Sequence, residues 1–271
     1  IEKYCKVPVT VNMASEYMYN DPIINDKTLV ICVSQSGETI DTLEALKYAR
    51  RKGARSLSIV NVKGSTIARE SENVIYTNAG PEIAVASTKA YTTQVAVFYL
   101  IAAKMAHIRG ILNDYSTKHF TEQLSKVPTA VGEILGRGLD YPTLLEASLK
   151  LKEISYIHSE AFASGELKHG TIALITNQTP VIALLSQDSL MSKQVSNIRE
   201  VQSRGAEVIT FIKSNLKSKD VECSFELPNL DDDFMAIPSV VAMQLLAYYV
   251  SSDKGLDVDK PRNLAKVVTV E

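Results

Sequence analysis

The 271-residue sequence has few cysteines, and their spacing argues against two common kinds of scaffold. Its three cysteines, Cys5, Cys32 and Cys223, are far apart and form no CxxC pair. Disulfide frameworks and zinc sites both use cysteines at short, regular spacings. The sequence therefore suggests neither of them.

The sequence also lacks an excess of charge of either sign. It carries 29 lysines and arginines against 31 aspartates and glutamates, which gives a net charge of −2 at pH 7. A basic excess is what normally drives binding to nucleic acid or to an anionic membrane surface. We therefore expect no nucleic acid and no membrane as partners.

No hydrophobic run is long enough to suggest a membrane span. The most apolar stretch, Met235 to Val250, is interrupted by Pro238, Ser239 and Gln244. A spanning helix needs about 20 predominantly apolar residues, so we interpret this stretch as a buried helix. No signal peptide is visible, and a cytoplasmic location is the simplest expectation.

Strand-like and helical patterns alternate along the chain. The run Leu29–Val33 is apolar without polar alternation, as in a strand covered on both faces of a parallel sheet. Further strands are predicted at Val7–Val11, Ser56–Val62 and Asn73–Tyr76, and helices at Ala14–Tyr19, Ile40–Arg51, Thr66–Glu70, Ser87–Met105, His119–Leu135 and Pro142–Ile157. Such alternation predicts an α/β fold with parallel sheets.

The turn between the strand at Leu29–Val33 and the following helix, SQSGET, is rich in hydroxyl groups. Ser34, Ser36 and Thr39 stand beside the backbone N–H groups of a helix start, which together favour an anion. Gly37 lets the backbone approach a bound group. The functional interpretation is a phosphate cradle, and the alternative is an ordinary turn whose Ser and Thr cap the helix.

An internal repeat relates the two halves of the chain. Ser186, which begins SQDSLMSKQVSNIREVQSRGAEVITFI, lies 152 residues after Ser34, which begins SQSGETIDTLEALKYARRKGARSLSIV. The two copies have the same length, and the same offset aligns Gly53 with Gly205. These matches predict two related α/β units. In the second copy Asp188 replaces Ser36, and a carboxylate would repel a phosphate. We therefore expect only the first copy to keep an anion site.

The second half holds an unusual density of ionisable residues on an apolar background. Lys150 and Glu153 share one helix face, either as a solvated surface pair or as a partly buried pair with Glu153 tuned as a general base. His169 lies in a glycine-flanked loop, where it is structural or transfers a proton. Arg262 and Lys266 in the tail mark a solvated face or an anion and carbonyl site.

Several stretches together resemble one known family. They are Ser34–Thr39, Gly80–Gln94, Lys150–Gly170 and Pro261–Glu271. In these the chain is similar to the isomerase portion of the glucosamine-6-phosphate synthase (glutamine–fructose-6-phosphate aminotransferase) family, which consists of two sugar-isomerase (SIS) domains. The resemblance implies two pseudo-repeated SIS-type domains, each a doubly wound parallel sheet in three αβα layers. It places the first at 1–118, the second at 119–256 and a tail that completes the active site at 257–271.

The resemblance also implies where a sugar phosphate binds. The phosphate would be held by Ser34, Gln35, Ser36 and Thr39. Val85, Ala86 and Ser87 would line the sugar pocket. Fructose 6-phosphate, glucosamine 6-phosphate and glucose 6-phosphate are the expected ligands.

Catalytic roles follow from the same resemblance. Glu153 is similar to the base that moves a proton between C1 and C2, with Lys150 assisting at the sugar oxygens. His169 is similar to the ring-opening histidine, which in the family's dimer comes from the neighbouring subunit. Lys266 is similar to the tail lysine that engages the open-chain carbonyl, and Arg262 lies in the same motif. No cofactor and no metal are expected.

The expected activity is ketose–aldose isomerisation, and glucosamine 6-phosphate synthesis when ammonia is delivered. The family's glutaminase domain, which supplies that ammonia, is absent from this sequence, as is the Cys-Gly-Thr-Ser loop that opens the first SIS domain. A helix and strand expected before Gly136-Arg137-Gly138 are also lacking, so we interpret the chain as a fragment or as missing segments. A homodimer is the implied assembly.

Two other functions are compatible with parts of the sequence. A non-catalytic SIS-domain sugar-phosphate sensor would need the cradle but not Glu153, His169 and Lys266. Dinucleotide binding is weakly indicated by Gly136-Arg137-Gly138, which lacks the third glycine of that motif. The joint presence of the three candidate catalytic residues favours the enzyme over the sensor.

Overall fold

A computed structural model describes residues 1–82, 87–130 and 139–264, except for the side chains of 123, 125–130, 168 and 169. The described chain forms two compact units. The first contains Ile1–Lys118, together with the described tail residues from Arg262 onward, and the second contains His119–Pro261. Each unit has its own parallel sheet.

Strands and helices alternate in both units. The strands are β1 (Leu29–Ser34), β2 (Arg55–Val60), β3 (Asn73–Tyr76), β4 (Pro180–Leu185), β5 (Glu207–Lys213) and β6 (Phe225–Leu227). The α-helices are α1 (Glu2–Cys5), α2 (Ala14–Tyr17), α3 (Ile40–Arg51), α4 (Thr66–Glu70), α5 (Lys89–Ile108), α6 (Asp114–Ala130), α7 (Asp140–Lys150), α8 (Met191–Gln202) and α9 (Ala236–Asp253). A π-helical segment, Leu151–Ser155, continues α7.

The sheet of the first unit has the order β1-β2-β3, with all neighbours parallel. Strand β1 carries branched residues without polar alternation, whereas β2 also buries Ser56 and Ser58. Cys32 of β1 and Val60 of β2 pack with Leu46 of α3 and Ile67 of α4. This packing fixes the carboxyl end of β1, where the SQSGET turn begins.

The sheet of the second unit repeats that plan in the order β4-β5-β6, again parallel. Leu185 of β4 and Ile212 of β5 pack with Ile198 of α8. Gly53 and Gly205, which stand at equivalent repeat positions after α3 and α8, both have positive φ, 96° and 90°. The prediction of an α/β fold with parallel sheets is confirmed.

The predicted strand at Val7–Val11 is wrong. These residues are not in a sheet and pair with no strand in the described part of the chain. Pro8 has no N–H to donate to a ladder, and Val11 is 91% exposed. Burial, which would favour a strand at this apolar stretch, is therefore missing.

Two helices differ from their predicted bounds for local reasons. Helix α6 begins at Asp114, five residues before the predicted His119, because Oδ1 of Asn113 accepts the Ser116 N–H at 2.8 Å and caps the helix. The helix predicted to run to Ile157 changes to a π-helical segment after Lys150 and ends at Tyr156, whose φ is 58°.

The described helices include none with the length and apolar character that crossing a bilayer requires.

Candidate functional site

The turn after β1 is organised by one buried serine. The Ser34 hydroxyl accepts the Gly37 N–H at 3.0 Å and lies 3.0 Å from the Thr39 hydroxyl. The Ser36 hydroxyl accepts the Glu38 N–H at 3.2 Å. Ser34 is buried, whereas Gln35, Ser36 and Thr39 are half-buried. The turn thus groups three hydroxyls, and those of Ser36 and Thr39 belong to partly exposed residues.

Thr39 precedes α3 without capping it. In the described residues its side chain makes no capping hydrogen bond, because its hydroxyl lies against Ser34 instead. The N–H groups at the start of a helix have no intrahelical partner and carry partial positive charge. The turn therefore combines hydroxyl donors with a helix start that its own cap residue does not satisfy.

Gly37 is the point where the turn meets α4. Its φ is 69°, and a Cβ placed on it would lie 2.0 Å from Ser65 Oγ. Its carbonyl accepts the Ile67 N–H at 2.9 Å. Only a glycine allows both the left-handed backbone and this close approach, so α4 supports the turn from behind.

Glu38 places a carboxylate in a turn that is otherwise suited to an anion. Its Oε1 accepts the Thr66 N–H at 2.8 Å, at the start of α4. A hydrogen bond from the Thr66 side chain, together with this backbone hydrogen bond, lowers the pKa of Glu38 below its usual range. Glu38 thus acts as a second tie between the turn and α4.

Removing this tie should loosen the start of α4. Glu38→Ala deletes the acceptor, and we expect the Thr66 amide to exchange with solvent about fivefold faster, since such a hydrogen bond contributes about 1 kcal/mol. Glu38→Gln keeps an acceptor oxygen and should keep most of the protection. Equal exchange in all three proteins would contradict the tie.

One asparagine makes three hydrogen bonds to the segment after β3. Oδ1 of Asn61 accepts the Ala79 N–H and the Thr77 hydroxyl, both at 2.9 Å, and its Nδ2 donates to the Gly80 carbonyl at 2.7 Å. Further on, Oε2 of Glu82 accepts the N–H groups of Thr88 and Ala90, at 3.3 and 3.2 Å, at the start of α5. Ser87 lies directly before that helix and is half-buried.

A second cluster lies where α7 meets the π-helical segment. Nζ of Lys150 is 2.5 Å from Glu153 Oε2 and 3.5 Å from Glu146 Oε1. Lys150 is only 4% exposed, so the pair is not a solvated surface pair. Burial raises the pKa of Glu146, the Lys150 ammonium opposes that rise, and the Glu153 charge adds to it. The cluster is one buried cation between two carboxylates.

The end of the π-helical segment is tied to α9. The Ser155 carbonyl accepts a hydrogen bond from Lys254 Nζ at 2.7 Å, and the Ser155 hydroxyl donates to the Leu151 carbonyl at 2.6 Å. Buried Leu151 and Ile154 flank Glu153 on this segment. Packing therefore holds Glu153 at a fixed position relative to Lys150.

The structure brings together several of the predicted site residues. Ser34, Gln35, Ser36 and Thr39 share one turn, and Lys150 and Glu153 are in direct contact. Ser87 and Arg262 are placed, the former half-buried and the latter exposed. Outside the described residues lie Val85, Ala86, Gly136-Arg137-Gly138, Lys266 and the side chain of His169.

Sequence reasoning missed Glu146 and the role of Glu38. Glu146 precedes Lys150 by four residues, which is the spacing of neighbours on one helix face. That spacing was a sufficient signal for contact, although not for burial. The Glu38–Thr66 contact joins residues 28 apart in sequence, and no local pattern indicates it.

Comparisons with known proteins place the chain in a family. A family model described as SIS domain matches residues 1–104 and 133–251. Two curated relatives are 48% and 49% identical to this chain over 295 residues. They are the glutamine–fructose-6-phosphate aminotransferases (isomerizing) of Caldanaerobacter subterraneus subsp. tengcongensis and Clostridium tetani. Each alignment covers all of this chain and 48% of the relative, so the chain spans about half the length of the curated relatives it matches.

A solved structure agrees with these sequence matches. The C-terminal domain of glucosamine-fructose-6-phosphate aminotransferase from Francisella tularensis is 39% identical, with a TM-score of 0.90. The alignment covers 96% of this chain and 81% of that one. The predicted SIS-type fold and family resemblance are confirmed. The chain therefore belongs to the SIS-domain family, in the group that includes the C-terminal domain of glucosamine-fructose-6-phosphate aminotransferase.

Proposed function

We propose that this chain binds a hexose 6-phosphate and isomerises it between its ketose and aldose forms. The observation that carries the proposal is the turn after β1, where hydroxyl groups and the start of α3 converge on a partly exposed position. Fructose 6-phosphate is in the names of the relatives, and "isomerizing" is part of them. Fructose 6-phosphate and glucosamine 6-phosphate are thus the first ligands to test.

The phosphate is assigned to the β1–α3 turn. The hydroxyls of Ser34, Ser36 and Thr39 and the amide of Gln35 would donate to its oxygens, together with N–H groups at the start of α3. Since the Glu38 carboxylate accepts the Thr66 N–H, it need not oppose the phosphate. Val85, Ala86 and Ser87 remain the proposed sugar contacts.

Proton transfer is assigned to the cluster at the end of α7. Glu153 would take the proton from one carbon of the C1–C2 pair and return it to the other. Lys150, which contacts Glu153 at 2.5 Å, would orient that carboxylate towards the sugar. Glu146 would be the second carboxylate beside the Lys150 ammonium. His169, Lys266 and Arg262 keep their proposed roles in ring opening and at the open-chain carbonyl.

The same proposal covers the complete enzyme, its assembly, its domain bounds and its location. Within a complete enzyme the same site would form glucosamine 6-phosphate, with ammonia from a glutaminase domain. A homodimer in which His169 acts across the interface, the domain bounds at 118 and 256, and a cytoplasmic location belong to the same proposal. The half-length match to the relatives is consistent with a catalytic half of a larger enzyme.

Calorimetric titration with glucosamine 6-phosphate and fructose 6-phosphate tests the phosphate assignment. Ser36→Asp copies the residue at the equivalent repeat position, Asp188, and puts a carboxylate beside the phosphate. We expect it to weaken binding about 100-fold or more, because two like charges a few ångströms apart repel by several kcal/mol near a protein surface. Ser36→Ala, which removes one hydroxyl without adding charge, should weaken binding only a few-fold.

Three results are distinguishable when turnover of fructose 6-phosphate is measured alongside the titration. Unchanged binding by Ser36→Asp would move the phosphate away from this turn. No binding by the unsubstituted protein would contradict the proposal outright. Binding with no turnover of fructose 6-phosphate, in a folded protein, would favour the sugar-phosphate sensor over the isomerase.

A further inference from the structure

The turn after β4 in the second unit is occupied by an ion-pair cluster. Nζ of Lys213, the last residue of β5, lies 2.8 Å from Asp188 Oδ1 and 2.7 Å from Asp232 Oδ1. Lys213 is only 2% exposed. Burying an ammonium without a partner costs free energy. The two carboxylates therefore stabilise the charged form of Lys213.

Other donors in the same place also point at these carboxylates. Oδ2 of Asp232 accepts the backbone N–H of Asp188 at 2.9 Å. Nδ2 of Asn215 lies 3.4 Å from each carboxylate oxygen of Asp188. An ammonium, a backbone N–H near the start of a helix and a side-chain amide form the kind of donor set that proteins use for oxyanions.

The repeat relates this cluster to the first unit position by position. Lys213 stands at the repeat position of Asn61, and Asp232 stands at that of Gly80, with the same offset that relates Ser186 to Ser34. In the first unit Asn61 Nδ2 donates to the Gly80 carbonyl at 2.7 Å, across the same separation of 19 residues. The second unit therefore keeps the connection of the first but builds it from charged groups.

We propose that Lys213, the Asp188 N–H and Asn215 form an oxyanion site whose resident ligands are the protein's own carboxylates, Asp188 and Asp232. The chemical class that fits the donors is a tetrahedral oxyanion such as inorganic phosphate. The unsubstituted protein excludes it, because the two carboxylates fill the site and repel it. The site is independent of the hexose 6-phosphate site proposed for the first unit.

Access and charge both fit this assignment. The Asp188 side chain is 53% exposed, so the site opens to solvent on that side. The hydrogen bond from Lys213 lowers the pKa of Asp188, which keeps that carboxylate ionised at neutral pH. Replacing both carboxylates with small neutral residues would leave the Lys213 ammonium without a counter-charge and would leave room for an external one.

Thermal unfolding in inorganic phosphate tests the proposal, with ionic strength held constant by sodium chloride. The variant is Asp188→Ser with Asp232→Ala, made together with Ser36→Asp so that the first unit does not respond to phosphate. We expect phosphate to raise its Tm in a saturable way by about 4 °C. The parent Ser36→Asp protein should not respond, and adding Lys213→Met to the triple variant should abolish the response.

The outcomes decide the proposal even if the variant folds poorly. A variant that is unfolded in chloride should refold in phosphate, as seen by circular dichroism, because the external anion replaces the lost carboxylates. A folded variant with no phosphate response would overturn the site, as would an unfolded one that phosphate does not refold. A response that survives Lys213→Met would overturn it as well.

Discussion

Lys150→Met is expected to destabilise the second unit by about 3–5 kcal/mol at neutral pH. Methionine fills similar space but leaves Glu146 and Glu153 without the cation that lies between them. These two largely buried carboxylates then repel each other, because the Lys150 ammonium no longer offsets their charge. Urea unfolding followed by circular dichroism measures the free energy of unfolding directly.

The same substitution should change how stability depends on pH. Burial already raises the pKa of Glu146 above its ordinary value of 4.5, and loss of Lys150 should raise it further. A carboxyl whose pKa is higher in the folded state binds more protons there, so its contribution is present below 4.5 and lost as pH rises through the folded pKa. The cost of Lys150→Met should therefore shrink as pH falls from neutral towards 4.5.

Lys152→Met is the matched control, since Lys152 lies two residues away on the exposed side of the same segment. It removes the same charge and should cost less than about 1 kcal/mol. If both substitutions cost the same at every pH, the buried cluster is not what stabilises this region.

Gly37→Ala should disrupt the turn after β1 and cost about 3 kcal/mol. The alanine would have to adopt a φ of 69°, and its Cβ would lie 2.0 Å from Ser65 Oγ and 2.6 Å from Ser65 Cβ. Ser65 is 3% exposed at the start of α4 and has little room to move. The turn or the helix must shift, and sugar-phosphate binding should be lost together with stability.

Gly64→Ala separates the two causes of this loss. Gly64 has nearly the same φ, 71°, but apart from Gly64 and its two chain neighbours no heavy atom of the described residues lies within 4 Å of a Cβ placed there. It should cost only the backbone strain, about 1–2 kcal/mol. Calorimetric titration and thermal unfolding of both variants measure the difference, and a Gly37→Ala cost no greater than that of Gly64→Ala would refute the close approach.

The features that sequence predicted well are those fixed by local pattern. The apolar runs of β1 and β4, the glycines after α3 and α8, and the hydroxyl-rich turn all result from residues adjacent in sequence. The repeat added one longer inference, that Asp188 would make the second turn unlike the first. Family resemblance supplied the roles of individual residues, which physical patterns alone left open.

The features that sequence could not predict depend on contacts between distant residues. Burial of Lys213 follows from its contacts with Asp188 and Asp232, which lie 25 and 19 residues away. The Val7–Val11 stretch has strand propensity but no sheet edge to join in the described chain. Propensity is a weak guide where tertiary partners decide the outcome.

The π-helical segment Leu151–Ser155 keeps the two ends of its helix in rotational register although it holds an extra residue. A π turn accommodates one residue more than an α turn, and one residue corresponds to a rotation of about 100° around the helix. Deleting a single residue there would leave Glu146 and Lys150 aligned with each other. The residues beyond, including the Ser155 carbonyl that Lys254 Nζ contacts, would keep their orientation, because the deletion removes the extra residue that the π turn holds. The segment therefore lets the chain hold one extra residue between α7 and Tyr156 without rotating the residues that follow.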